Sequence, residues 1–512
     1  MRHLVPFAVT QFVVCSHLLL AQISADPNWT EPTPVPNAGG PATGNVGNNM
    51  AILSSGRIVL VYNQTLPQGG LKLYVTSTED DGASWQTPQK LTVADTLIGA
   101  CCATLAADVN DRLHMTWTAK VPINGLFYSQ SDDGGTTWSP PVVLYQNPRY
   151  KIAYHSVTVD RKRRVHVTWH DGDTDDDLTP AETWYVRSPD AGATWETPLM
   201  LSSDDGKHSA FSRSDFSGTD SDTLLFVWRD NRAGGDEWDV YGAFTFDGGA
   251  TWNEELVAGG PGRQWDPMAL IDKHGTIHVG VMEYPVGRQI DVFVWHTKTS
   301  DGGLTWAPPV TVREARTIFP FYTYDYTHDI IWYFLRLESP PGPNPFSNLG
   351  VRYSTDAGTS WSDLEQLTAL TSGGTKFPAI VTGVDGIVRV TYSLKDANGD
   401  DLIHFQKRKS VPLVTSVADP RSSLPATFAL EQNYPNPFNP TTTIRFTLQR
   451  TQRVVLQVFD VSGREVATLA EGTLSAGTHA VRFEGANLPA GTYFYRLTVG
   501  AATEVRKAVL LK

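Results

Sequence analysis

Ser131-Asp132-Asp133-Gly134-Gly135-Thr136-Thr137-Trp138 is one of six copies of a single phrase in this 512-residue chain. The other copies begin at Thr78, Ser188, Thr245, Thr299 and Ser354, and all follow Ser/Thr-x-Asp-x-Gly-x-Thr/Ser-Trp. Their tryptophans, Trp85, Trp138, Trp195, Trp252, Trp306 and Trp361, are spaced by 53, 57, 57, 54 and 55 residues. A fixed period of that size marks an array of like supersecondary units and matches one four-stranded propeller blade. Each copy follows a strand-like run such as Leu71–Val75 and precedes another such as Pro140–Leu144, so the phrase sits on a hairpin turn. Its Asp accepts turn N–H groups, its Gly supplies positive φ, and its Trp buries apolar area between units.

Between the phrases lie β-branched and aromatic runs that predict second strands, among them Leu113–Trp117, Val165–Trp169, Leu224–Trp228 and Ile330–Phe334. After the sixth phrase, Phe377–Val381, Ile387–Tyr392 and Leu402–Phe405 predict three more strands without a phrase or a fourth strand. At the other end, Asn28–Val35 reads like the strand that follows a phrase, as in Thr137–Val142. Pairing the two ends would complete one composite unit and leave no open edge. Residues 26–411 span 386 positions, which is seven units of about 55 or six of about 64. Seven is the preferred count and six the alternative.

The six-fold phrase resembles the Asp box of the sialidase-like (BNR-repeat) β-propellers. The resemblance implies an all-β Asp-box propeller in which Asp80, Asp133, Asp190, Asp247, Asp301 and Asp356 are structural and lie away from the ligand face. Ligands would then gather where inner strands start and second strands end. Candidates at the inner-strand starts are Asn48, Cys101, His155, Arg213, Asp266, Phe319 and Phe377, with Tyr154, Arg263, Trp265 and Lys376 beside them. The second-strand exits add His170, Asp171, Arg229, Asp230, Glu283, Tyr284 and Glu338. For ligand binding the strongest are His155, Arg213, Arg229, Trp265 and Asp266. Sialidase chemistry in the family needs three arginines on a carboxylate, a Tyr nucleophile activated by Glu, and an Asp acid/base. Arg213, Asp266, Glu283 and Tyr284 are the catalytic candidates. The family's early Phe/Tyr-Arg-Ile-Pro motif is missing, the first unit beginning Asn45-Val-Gly-Asn-Asn-Met50 instead. The expectation is therefore a protein that binds glycan or another extracellular polymer without a complete sialidase set. A glycoside hydrolase using channel-face carboxylates is the alternative, and a structural or adhesion protein the second. His155 also reads as a satisfied channel histidine, and strand alternation can send Glu283 and Tyr284 to opposite faces.

Asp171, Asp173 and Asp175 alternate in one acidic loop, with Glu182 further on, in a pattern that suits Ca²⁺ or simply a solvated loop. No metal is committed there and no other cofactor is expected. Cys101 and Cys102 are adjacent, which allows either a strained vicinal disulfide or two small buried thiols. The balance of 41 Lys and Arg against 54 Asp and Glu gives a net charge of −13, with basic residues scattered, which excludes a nucleic-acid footprint.

Residues 1–25 read as a secretory signal peptide, with Met1-Arg2-His3 before the apolar run Leu4–Leu20. A Ser/Pro-containing linker is expected at 412–428 and a small Ig-like β-sandwich at 429–512. Asn433-Tyr-Pro-Asn-Pro-Phe438, Val458-Phe-Asp-Val-Ser-Gly-Arg464 and Leu488-Pro-Ala-Gly-Thr-Tyr493 resemble the type A sorting domain of the type IX secretion system. That resemblance implies export across a Gram-negative outer membrane, then surface attachment or release, with the secretion machinery as partner. No transmembrane segment is expected in the mature chain, which should be a monomer.

Overall fold

In the computed structural model, residues 26–412 and 428–511 are described. Excepted are 39–40, 44–48, 67–69, 95–99, 121–123, 149–150, 173–179, 217–218, 235–236, 286–291, 304, 315, 340–345, 372 and 396–398. In the tail 431–432, 434–435, 437, 449–450, 461–463, 476 and 500–501 are also excepted. The expected signal peptide and most of the expected linker lie outside the described residues. The chain divides into two compact units, Met1–Pro412 and Leu413–Lys512.

Among the described residues the first unit contains seven open sheets of four or five strands, antiparallel except where Ser214–Asp215 and Gly373–Gly374 add short parallel pairs. The second is typical: Cys101–Ala107, Leu113–Ala119, Gly125–Ser131 and Val142–Gln146 pair in chain order. The last sheet takes its outer strand from the other end of the unit. Thr33–Pro34 pairs antiparallel with Asp401–Lys407, Thr33 opposite Phe405, and Trp29 bridges Arg408. Trp29 is 1% exposed, and its Nε1 donates to Glu365 Oε2 at 2.8 Å. Arg408 grips the same carboxylate at 2.9 and 3.1 Å.

The first strands of successive sheets neighbour one another in a cycle. Met50–Ile52 lies beside Cys101–Ala107, then Ile152–Val159 follows, then the short strand Ser214–Asp215 beside Arg263–Ile271. Thr317–Asp325 and Lys376–Thr382 continue the series, and Lys376–Thr382 returns to Met50–Ile52. A cavity of about 200 Å³ lies among them, lined by Ile52, Ala107, Val157, Asp215, Tyr324 and Val381. Second strands are covered on both faces and read as near-continuous apolar runs. Trp117, Trp169, Trp228 and Trp332 are fully buried there. Each such indole removes on the order of 200 Å² from water, about 5 kcal/mol before entropy is counted.

The repeated phrase closes the third-to-fourth strand turn in the same way at each copy. Asp133 accepts from the Thr137 N–H at 2.8 Å and the Thr137 hydroxyl at 2.6 Å, while the Gly135 N–H donates to Ser131 Oγ at 2.9 Å. Asp80, Asp190, Asp247, Asp301 and Asp356 make the matching bonds. Burial pushes all six carboxyls up, and these hydrogen bonds outweigh it and hold them below the usual carboxylate range.

The phrase also joins one sheet to the next. A third-strand side chain from the preceding sheet packs on its Gly and Trp. Tyr128 lies against Gly192 and Trp195, with ring centroids 4.7 Å apart, and Tyr185 against Gly249 and Trp252 at 5.0 Å. His296 meets Gly358 and Trp361 at 5.5 Å, and Phe244 meets Gly303 and Trp306 at 6.3 Å. Phe405 of the last sheet meets Gly82 and Trp85 of the first at 5.6 Å. A methyl group on any of these glycines would overlap that side chain, so the glycine supplies space as well as positive φ.

Buried polar columns run through three sheets. His114 lies between Asp108, 3.6 Å away, and the Tyr128 hydroxyl at 2.7 Å. His166 lies between Asp160 at 3.4 Å and Tyr185 at 2.9 Å, and His278 between Asp272 at 3.1 Å and His296 at 3.0 Å. Burial lowers the pKa of His114 and His166 despite their Asp partners.

In the second unit two sheets pack over one core that includes Ile444, Phe446, Leu456, Val458, Tyr495 and Leu497. The asparagines that mark this segment in the sequence are structural. The Asn433 N–H donates to the Tyr495 hydroxyl at 2.7 Å, and Asn436 Oδ1 accepts from the Val509 N–H at 2.7 Å. Tyr493 donates to the Pro489 carbonyl at 2.7 Å.

Candidate functional site

A bulge near the start of several first strands positions the candidate residues. Register slips between Cys101 and Thr104, Ala153 and Ser156, and Trp265 and Met268. At or near these slips Cys102, Tyr154 and Asp266 adopt φ of 65°, 47° and 43°, and Phe211 in the fourth sheet adopts 63°. These four therefore occupy equivalent left-handed positions. Of the residues expected at the inner-strand starts, Asp266 takes such a position itself, Cys101 and His155 lie one residue from Cys102 and Tyr154, and Arg213 lies two residues beyond Phe211. Asp266 is the one acid of the four. A bulky residue held in this region is strained backbone, which concentrates at functional sites.

Asp266 is 5% exposed. Among the described residues, no hydrogen bond or ion pair reaches its carboxyl. Burial raises its pKa, and the charges of Arg213 and Arg229 oppose that rise. Arg213 is half-buried between the rings of Phe321 at 5.1 Å and Tyr154 at 6.0 Å. Its Nη2 has no hydrogen-bond partner, and burial lowers its pKa while Asp266 acts in the other direction. Arg229 is 2% exposed and sandwiched between Trp265 at 3.7 Å and Phe211 at 3.9 Å, with Trp238 at 4.9 Å. Trp265 packs on Trp238 at 5.1 Å and on Tyr284 at 6.1 Å, and Arg263 lies 5.8 Å from its ring. Burial raises the Tyr284 pKa, and the Asp266 charge adds to the rise. The structure thus brings together Arg213, Arg229, Arg263, Trp265, Asp266 and Tyr284. Phe211 and Trp238, which clamp Arg229, carry no periodic signal in the sequence and were missed.

Other candidates fall elsewhere. Glu283 shares neither the face nor the chemistry of Tyr284. Arg263 stands opposite Tyr284 and Trp265 opposite Met282, whereas Glu283 alternates to the other face and accepts from Trp295 Nε1 at 2.9 Å. Strand alternation thus separates the candidates Glu283 and Tyr284, as their adjacency in the sequence allows. His155 is a core histidine, its Nδ1 bonded to the hydroxyls of Thr116 at 3.0 Å and Thr104 at 3.4 Å. Burial pushes its pKa down to about 4, so it stays neutral at pH 7. His170 Nδ1 accepts the Phe211 N–H at 3.2 Å, and Asp230 is taken up by Arg232 at 2.8 Å and Ser209 at 2.7 Å. Phe319 and Phe377 lie on first strands. Asn48 lies outside the described residues.

Asp171 accepts from Tyr145, Asn147 and Trp184 at 2.6, 2.7 and 3.0 Å and is committed to the fold rather than to a cation. Asp173 and Asp175 lie outside the described residues. Across the strand pair from Asp171, Glu182 accepts from the Ser202 hydroxyl at 2.6 Å, and burial pushes its carboxyl up to about 8. Among the described residues no group of three or more His, Cys, Asp or Glu side chains is placed to hold a metal ion.

Residues 432–511 match the secretion system C-terminal sorting domain. The protein is exported through the type IX secretion system to the cell surface or the extracellular space. Among the described residues no helix is long and apolar enough to cross a membrane. No curated protein matches the chain. Among solved structures the chain is similar to a protein of unknown function from Dyadobacter fermentans, at 13% identity and TM-score 0.45, covering 74% of this chain and 99% of that one. It is similar to a Hadza microbial sialidase at 16% identity and TM-score 0.43, covering 66% and 73%. It is also similar to an ulvan lyase of polysaccharide lyase family PL25 at 13% identity and TM-score 0.49, covering 73% and 95%.

Proposed function

We propose that residues 26–411 form a seven-bladed Asp-box propeller, closed by its own N-terminal strand, that recognises an acidic saccharide at the Asp266 cluster; residues 429–512 then form an Ig-like sorting module. Arg213 Nη2, which has no hydrogen-bond partner among the described residues, and the buried Asp266 carboxyl whose charge it feels, in one aromatic-walled cluster, carry this reading. Such groups cost free energy when left unpaired, and a ligand that bonds to them recovers it. A carboxylate or sulfate fits the guanidinium, sugar hydroxyls fit the carboxyl, and Trp265 offers an apolar face to a ring. The mature protein engages this ligand outside the cell and needs no cofactor.

A second reading draws on Asp266 itself. A carboxyl whose pKa is raised by burial is suited to general-acid catalysis of glycoside cleavage. A glycan array and a fluorogenic glycosidase panel, run on parent and Asp266→Asn protein, separate the two. Binding without turnover, weakened about tenfold or more by Asp266→Asn and by Trp265→Ala, is the expected result. Turnover abolished by Asp266→Asn would make the protein a hydrolase. Binding unchanged in both variants would remove the cluster as the site.

A further inference from the structure

The second sheet carries a feature that the proposed site does not use. Cys101 and Cys102 open the strand Cys101–Ala107, and both are half-buried and in the thiol form. Adjacent strand residues normally point to opposite faces. Here the register slips after Cys101, and Cys102 takes the left-handed region at φ 65°. Alternation is broken there, so the two side chains are not sent to opposite faces. The Cys102 N–H donates to Asn63 Oδ1 of the first sheet at 3.0 Å, which helps to hold the strained backbone. The Thr118 hydroxyl lies 3.6 Å from the Cys101 sulfur.

The two thiols are electrostatically unlike. The neighbouring Cys102 pulls the Cys101 pKa down against burial, helped by Thr118, Lys120 and Lys151. The Cys101 sulfur beside it and burial push Cys102 up. One thiolate beside one held proton is the arrangement that thiol–disulfide exchange uses.

We propose that Cys101 and Cys102 are a reversible redox pair, closed to a vicinal disulfide by exchange with an oxidised low-molecular-weight disulfide. The Cys101 thiolate attacks one sulfur of that disulfide, forming a mixed disulfide and releasing one thiolate. Cys102 then loses its proton and attacks the Cys101 sulfur, closing the ring and releasing the second thiol. Counted from two thiols, the pair gives up two electrons and two protons, and the oxidant takes them. Adjacent Cα atoms lie about 3.8 Å apart, whereas disulfides usually span about 4.4–6.8 Å. The ring is therefore strained, and strained disulfides are the easily reduced ones. This chemistry makes the pair a switchable group rather than a permanent staple.

The test equilibrates the full chain with a series of reduced-to-oxidised glutathione ratios, quenches with an alkylating agent and maps peptides by mass. The peptide carrying both cysteines should lose two hydrogens and both alkylation sites as the ratio becomes oxidising, and regain them on reversal. Cys101→Ser and Cys102→Ser should each retain one glutathione instead. The pH midpoint for Cys101 alkylation should rise in Cys102→Ser. Two alkylated thiols at every ratio, or a persistent glutathione adduct on the parent protein, would overturn the proposal.

Discussion

Removing the Trp29 side chain tests whether the N-terminal strand closes the first unit. The indole is 1% exposed, meets Phe334 edge-on at 6.2 Å and donates to Glu365 at 2.8 Å. Trp29→Ala empties that volume, which costs about 3–5 kcal/mol in a well-packed site. Glu365 keeps Arg408 as its partner, so the lost N–H bond adds only about 1 kcal/mol. Trp29→Phe keeps most of the apolar mass and should cost about 1–2 kcal/mol. A domain has about 5–15 kcal/mol in total, so the Ala variant gives up a large part of it. Urea unfolding followed by fluorescence reads the change as a lower midpoint, with Val384→Ala, at a position 79% exposed, as the control. Deleting residues 26–36 should go further and uncover the edge of Asp401–Lys407, producing soluble oligomers on size exclusion. If Trp29→Ala matched the Val384→Ala control within about 0.5 kcal/mol and the deletion stayed monomeric, the strand would be an accessory and the closure argument would fail.

Gly192→Ala places a methyl group against the Tyr128 hydroxyl at φ 86°, whereas Gly206→Ala meets only the backbone strain of φ 71° with nothing within 4 Å. The first should cost at least about 2 kcal/mol more than the second in urea unfolding, and Tyr128→Phe should recover part of that difference in the double variant. Acid should destabilise the first unit well above the carboxylate range. His155, with a folded pKa of about 4, His170, well below its ordinary value, and His114 and His166, lowered, are depressed by burial. The unfolded chain then binds protons first, so their contribution is complete above about pH 6.5 and is lost as pH falls through the folded values. His155 alone accounts for about 3 kcal/mol between pH 6.5 and 4. Unfolding curves at pH 7 and pH 5 check the sign, and His155→Gln should flatten the dependence.

The strand order of the first unit was legible because the phrase repeats at a fixed period and sits on one kind of turn. The pairing of Thr33–Pro34 with Asp401–Lys407 was legible because Asn28–Val35 looks like a post-phrase strand. The registers of the candidate site were not. A bulge inserts one residue without changing composition, so a two-residue period does not show that Cys102 and Tyr154, rather than Cys101 and His155, take the left-handed positions. The separation of Glu283 from Tyr284, by contrast, follows from simple alternation at the strand end and was readable in the sequence. The polar columns did leave a signal that went unread. In Asp108/His114, Asp160/His166 and Asp272/His278 the histidine follows the aspartate by six positions each time. Phe211 and Trp238 reach Arg229 only through tertiary packing, which no local pattern encodes.

Five sheets present a side chain forward, Phe405, Tyr128, Tyr185, Phe244 or His296, onto a glycine-floored socket of the next sheet. In the vocabulary of assemblies this is a heterologous, head-to-tail contact written inside one chain. Such contacts make rings when the rotation closes and open filaments when it does not. The socket at Gly82 and the ring of Phe405 are then complementary ends held together within one molecule. Anything that parts them leaves every molecule with a sticky front and a matching back, so failure of closure takes the form of head-to-tail polymerisation rather than simple unfolding.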